Sequence, residues 1–164
     1  MIAASHLAPP APARLSPARL GQLVAGVAGS PGRWASLVRF DPARRWYRRL
    51  ELAEDYEIWL LSWLPGQETG FHDHGNAVGA FTVAQGELRE RAATPGRPQV
   101  TSRVVAAGQV RSFGRQHVHD VSNACARPAL SIHAYSPPLA AMRRYAMTGS
   151  GLVLTATEVA AENW

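Results

Sequence analysis

The stretch Pro65-Gly66-Gln67-Glu68-Thr69-Gly70-Phe71-His72-Asp73-His74-Gly75 decides how this sequence is read. Side chains at i and i+2 of a strand share a face, so His72 and His74 project together while Asp73 points away. Two imidazoles on one face can each reach a metal at about 2.0–2.1 Å, and neutral imidazole suits Zn, Fe, Ni or Cu better than Mg or Ca. Two histidines do not complete a site. The candidates for a third ligand lie in Gln116-His117-Val118-His119-Asp120-Val121-Ser122-Asn123, where alternation again puts His117 and His119 on one face.

The glycine and histidine spacings separate these two. Gly66, five residues, His72-x-His74, then Gly79, six residues, Gly86 resembles the first cupin motif; His119, three residues, Asn123 resembles the second. On that match the expected metal ligands are His72, His74 and His119, and His117 is a candidate either to support a ligand from behind or to stand at the rim. The stretch Asn76-Ala77-Val78-Gly79-Ala80 lacks the carboxylate that such motifs commonly supply after the histidine pair. With three neutral ligands a divalent ion keeps its full charge and open positions for an anionic ligand. Three histidines and a water on Zn remain an alternative on ligand identity alone.

From Trp46 onward, short runs rich in Val, Ile, Leu and aromatics alternate with turn signals at Pro65-Gly66, Gly86, Pro95-Gly96 and Ala107-Gly108. The rhythm predicts strands near 46–53, 56–64, 70–74, 78–85, 87–93, 100–106, 109–113, 117–121 and 129–136. Pro137-Pro138 ends the last central strand, and 152–159 is an edge strand or lies across the barrel. The expected fold is mainly β, a cupin jelly-roll barrel with short N-terminal helices. Ser16 as N-cap and Pro17 at the first helical position open one helix, which Gly29-Ser30-Pro31 stops; a second is expected over Arg33 to Arg39.

At 164 residues, the chain has the length of one domain. Residues 1–15 are Ala and Pro rich and are expected to be flexible, leaving 16–164 as a single domain. The formal charge of +5 comes from scattered arginines with no nucleic-acid-binding motif, so no nucleic-acid partner is expected. The single cysteine, Cys125, cannot form an intrachain disulfide, and no signal peptide or membrane span is read; the expectation is a cytoplasmic protein, monomeric, with no membrane partner.

Over about residues 46–145 the sequence resembles the thiol dioxygenases, specifically bacterial cysteine dioxygenase. Trp46-Tyr47-Arg48-Arg49-Leu50, His72-Asp73-His74-Gly75, His119-Asp120-Val121-Ser122-Asn123 and Ser131-Ile132-His133-Ala134-Tyr135-Ser136-Pro137-Pro138 carry the likeness. It implies Fe(II) held by His72, His74 and His119, and a catalytic hydrogen-bonded row of Ser131, His133 and Tyr135. It also implies a cis bond at Ser136-Pro137. The substrate-carboxylate arginine matches Arg48; Arg49, on the opposite face, is what a one-residue slip in register would select. The implied reaction takes L-cysteine and dioxygen to cysteine sulfinate. A dioxygenase of another small thiol such as 3-mercaptopropionate, or a non-catalytic metal-binding cupin, are the alternatives. Animal relatives carry a cysteine that crosslinks to the active-site tyrosine; Gly79 stands at the matching position here, and Cys125 has no assigned role.

Overall fold

A computed structural model describes residues 14–159. The expectation for residues 1–15 lies mostly outside that span. Leu15, inside it, donates its backbone N–H to Ser136 Oγ at 2.9 Å and packs under the helix, so the packed chain begins before Ser16.

The helix α1 runs Pro17–Ala28, and the Ser16 hydroxyl caps it by accepting from the Arg19 N–H at 3.2 Å. In place of a second α-helix there are two single 3-10 turns, Pro31–Arg33 and Ala35–Leu37. Trp34 between them donates its indole N–H to Val27 O at 2.9 Å, which ties the chain back onto α1 and leaves no room for a longer helix.

Eleven strands follow among the described residues: β1 Trp46–Leu52, β2 Glu57–Trp63, β3 Phe71–Asp73, β4 Val78–Gln85, β5 Glu87–Ala93, β6 Val100–Ala106, β7 Val110–Phe113, β8 Val118–Ser122, β9 Ala129–Ser136, β10 Ala141–Thr148 and β11 Gly151–Val159. One sheet has the order β1-β2-β9-β4-β7 and the other β11-β10-β3-β8-β5-β6, with antiparallel pairing between their strands. Strand β10 was not expected, because the charged Arg143-Arg144 pair and the preceding prolines masked its alternation. It locks the histidine-bearing β3 between two neighbours, with Arg143 Nη2 2.9 Å from Asp73 Oδ2.

The five-stranded sheet is covered on both faces. Ile58, Leu60, Ile132 and Ala134 pack outward against Leu20, Val24 and Val27 of α1, each large apolar side chain contributing about 1.5–3 kcal/mol by burial. Trp59, Trp63, Phe81 and Val83 point the other way, into the space between the sheets. Every residue of β9 is therefore buried, and Ser131, His133 and Tyr135 share its inward face. No helix among the described residues is long and apolar enough to cross a membrane.

Candidate active site

His72 on β3 stands directly opposite His119 on β8, and His74 immediately follows the last residue of β3. The ring centroids are 4.9 Å apart for His72–His74, 4.8 Å for His72–His119 and 5.1 Å for His74–His119. One ligand nitrogen from each lies within 4.8 Å of the other two. Asp73 turns away as alternation requires, accepting from the Gly75 N–H at 2.9 Å and the Tyr145 hydroxyl at 2.7 Å. The tight turn after His74 needs glycine: Gly75 has φ +59°, and a Cβ there would stand 2.9 Å from Ala141 O.

The three histidines fit a divalent metal on their own chemistry. His72 Nδ1 lies 2.9 Å from Gly70 O, and His119 Nδ1 lies 3.0 Å from Glu90 Oε1, so each ring is oriented by one nitrogen and has the other free. His74 Nε2 is buried without a hydrogen-bond partner, an orphan that a metal would satisfy. Burial holds all three imidazoles below their ordinary pKa, with neighbouring imidazoles adding to the effect and Glu90 opposing it at His119. Neutral rings are what a metal requires.

Beside the triad is a cavity lined by Arg45, Tyr47, Trp59, Leu61, Thr69, His72, His119, Val121, His133, Tyr135, Leu139 and Met142. Its polar row comes from β9: Trp63 Nε1–H donates to Ser131 Oγ at 2.8 Å, Ser131 Oγ is 2.8 Å from His133 Nε2, and the Tyr135 hydroxyl is 3.4 Å from His133 Nδ1. The Tyr135 ring also lies 4.7 Å from that of His74. Burial raises the Tyr135 phenol pKa well above its ordinary value, so the hydroxyl keeps its proton.

The family model for cysteine dioxygenase type I matches residues 18–148. The chain belongs to the cysteine dioxygenase type I family. A curated relative, cysteine dioxygenase type 1 of Danio rerio, is 28% identical over 130 residues, covering 71% of this chain and 63% of the relative; this chain thus spans under two thirds of that protein's length. Among solved structures, a protein of Thermus thermophilus has a TM-score of 0.56 at 23% identity, covering 63% of this chain and 93% of its own. A cupin superfamily protein of Desulfitobacterium hafniense has a TM-score of 0.53 at 12% identity, covering 63% and 87%. These two likenesses establish the cupin fold.

Within this cysteine dioxygenase-type fold, one site residue departs from the sequence reading. Arg48 is exposed and does not line the cavity. The reason is register: Arg48 pairs with Leu60, whose side chain faces α1, whereas Tyr47 pairs with Leu61 on the cavity side. Arg49 has cavity-side parity, but its guanidinium lies 5.4 Å from the Trp59 ring and 3.5 Å from Glu57 Oε2, and it is not part of the lining either. The arginine that reaches the cavity is Arg45, just before β1. Its Nη1 donates to Glu68 O at 3.2 Å, its guanidinium covers Trp63 at 5.1 Å, and its buried Nε has no partner. Burial, with Arg144 adding to it, lowers the Arg45 pKa, the electrostatic mark of a cation held short of counter-charge.

Two more residues had no sequence signal. Trp59 lines the cavity with its indole nitrogen buried and unpartnered, and Glu90 holds His119 from behind. His117 is outside the triad, its Nε2 3.0 Å from the same Glu90 oxygen. Cys125 is in the loop before β9, its thiol 2.7 Å from Glu87 Oε1 and away from the cavity. A Cβ on Gly79 would stand 2.5 Å from the Phe113 ring and 3.1 Å from Tyr135 Cδ1, so Phe113 fills the space that a side chain there would take. Ser136-Pro137 is cis.

Burial pushes His133 from 6.5 down to about 3. Between those values the unfolded chain binds a proton that the folded one does not, so stability is complete above pH 6.5 and is lost as the pH falls. Denaturant midpoints of the metal-free protein are expected to fall through this window by more than one proton's worth, about 1.4 kcal/mol per pH unit, because the triad histidines are lowered too. His133→Gln should remove about one proton from that slope, and an unchanged slope would contradict a neutral buried His133.

Proposed function

We propose that this protein is an Fe(II)-dependent thiol dioxygenase that converts L-cysteine and dioxygen to cysteine sulfinate. The observation that carries the reading is the all-histidine triad beside a cavity lined by Arg45, His133 and Tyr135, with Ser131 holding His133. His72, His74 and His119 would hold the ion. When bound, ferrous iron supplies Lewis acidity toward the thiol and redox activation of dioxygen.

The chain's own residues do the rest. Arg45 pairs the substrate carboxylate, since it is the arginine whose side chain lines the cavity and whose Nε lacks an acceptor. The Trp59 indole N–H is a second donor without a partner on the same wall. Leu61, Val121, Leu139 and Met142 form an apolar wall that limits water around the sulfur. The Tyr135 hydroxyl, kept protonated by burial, donates toward the reacting sulfur and oxygen atoms, and His133, held through Ser131 and Trp63, fixes its direction. Both oxygen atoms end on sulfur, and the thiol proton leaves with the sulfinic acid.

Anaerobic loading with Fe(II), followed by oxygen uptake and sulfinate assay across cysteine, 3-mercaptopropionate and cysteamine, tests this. Cysteine turnover with one dioxygen consumed per sulfinate is expected. Reaction of 3-mercaptopropionate with cysteine inert would transfer the site to thiols that lack an amine. Inactivity of iron-replete protein toward all three would leave a non-catalytic metal-binding cupin.

A further inference from the structure

The Glu90 carboxylate is fully buried on the far side of His119 from the cavity and takes part in four contacts. His117 Nε2 and His119 Nδ1 both lie 3.0 Å from Oε1, while Arg111 Nε lies 2.8 Å and Arg103 Nε 3.7 Å from Oε2. The Arg111 and Arg103 guanidinium groups against Oε2 favour the ionised carboxylate. An ionised carboxylate only accepts hydrogen bonds, so both ring nitrogens facing it carry hydrogen.

Glu90, His117 and His119 are also close enough together to be taken for a second metal site. The chemistry argues otherwise. A cation there would have to displace two N–H protons and sit beside two guanidinium groups already committed to the same carboxylate. We infer that Glu90 is a positioning residue for a single-ion centre: it fixes His119 in the Nδ1–H tautomer, leaving the Nε2 lone pair for the ion, and uses His117 and Arg111 to hold its own carboxylate in place. The Phe113 ring reinforces the arrangement, stacking on His117 at 4.9 Å and on His74 at 5.2 Å and so tying the back of the centre to its front.

The inference rests on the metal reading of the triad, and Co(II) binding separates the two. Titration of full-length metal-free protein with Co(II), followed by calorimetry and ligand-field absorption, gives stoichiometry and Kd; thermal unfolding of each metal-free variant reports its fold. Wild type is expected to bind one Co(II) per chain. Glu90→Ala should weaken binding 10- to 100-fold, the range for removing a group that orients a metal-bound histidine, and shift the ligand-field bands. Glu90→Gln keeps the shape and one acceptor oxygen but sets an amide N–H₂ against Arg111 or His119, and should weaken binding about tenfold. If Glu90→Ala does not fold, Glu90→Gln decides. A folded Glu90→Gln with Kd within twofold of wild type, or two Co(II) per chain, would overturn the inference, whereas absence of Co(II) binding in wild type would overturn the metal reading itself.

Discussion

His74→Ala should leave a folded protein that no longer retains metal. Of the three triad residues His74 is the cleanest to remove, because its Nε2 makes no hydrogen bond and its loss strands no partner. The cost to the metal-free fold is packing alone, as the ring sits between Phe113 and Tyr135, and about 2 kcal/mol is expected. His119→Ala is different. It leaves Glu90 buried with one donor fewer, and the loss of one hydrogen bond to a charged group costs about 1.5–3 kcal/mol. Metal content after purification without added metal, with Co(II) affinity as the graded measure, should show more than a 100-fold loss for His74→Ala, exceeding the 10- to 100-fold seen when only an orienting group is removed. Oxygen uptake with cysteine should fall to background. A His74→Ala protein that purifies with wild-type metal content would show that the ion sits elsewhere.

Arg45→Ala should lower kcat/KM for cysteine by two to three orders of magnitude, while Arg48→Ala changes it by less than about threefold. Removing one partner of a desolvated, hydrogen-bonded charge pair typically costs about 2–5 kcal/mol, and each 1.4 kcal/mol is tenfold. Arg45 has the geometry for that loss, being in the cavity lining with an unpartnered Nε; Arg48 is in solvent on the other face of β1. Cysteamine, which has a thiol and an amine but no carboxylate, provides the internal control: its turnover should be nearly insensitive to Arg45→Ala. A large loss in Arg48→Ala or Arg49→Ala with Arg45→Ala active would return the carboxylate to β1.

The contrast between these arginines shows where sequence reading stops. Period-2 alternation was enough to say that Ser131, His133 and Tyr135 share a face, because they lie on one uninterrupted strand and the covalent chain fixes their relative orientation. Arg45, Arg48 and Arg49 all belong to an arginine-rich run, and which of them faces the cavity depends on how β1 registers against β2. The pairing shows a register shift between Arg49 and Glu51, and no local pattern announces such a shift. Likewise, β10 escaped notice because its arginines, which look solvated in isolation, pair with Asp73 and Glu158.

By itself the sequence determined the mainly β fold, the helix that Ser16 and Pro17 begin, and the three histidines brought together by motif spacing, since each follows from short-range periodicity or from residues at fixed offsets. Only the tertiary structure decided that Arg45 and not Arg48 lines the cavity, and that Trp59 leaves its N–H unpartnered there. It alone showed that Phe113 fills the space beside Gly79 and that Glu90 grips His119 from behind. Those are contacts between strands far apart in the chain, and the register and packing that create them have no counterpart in local sequence.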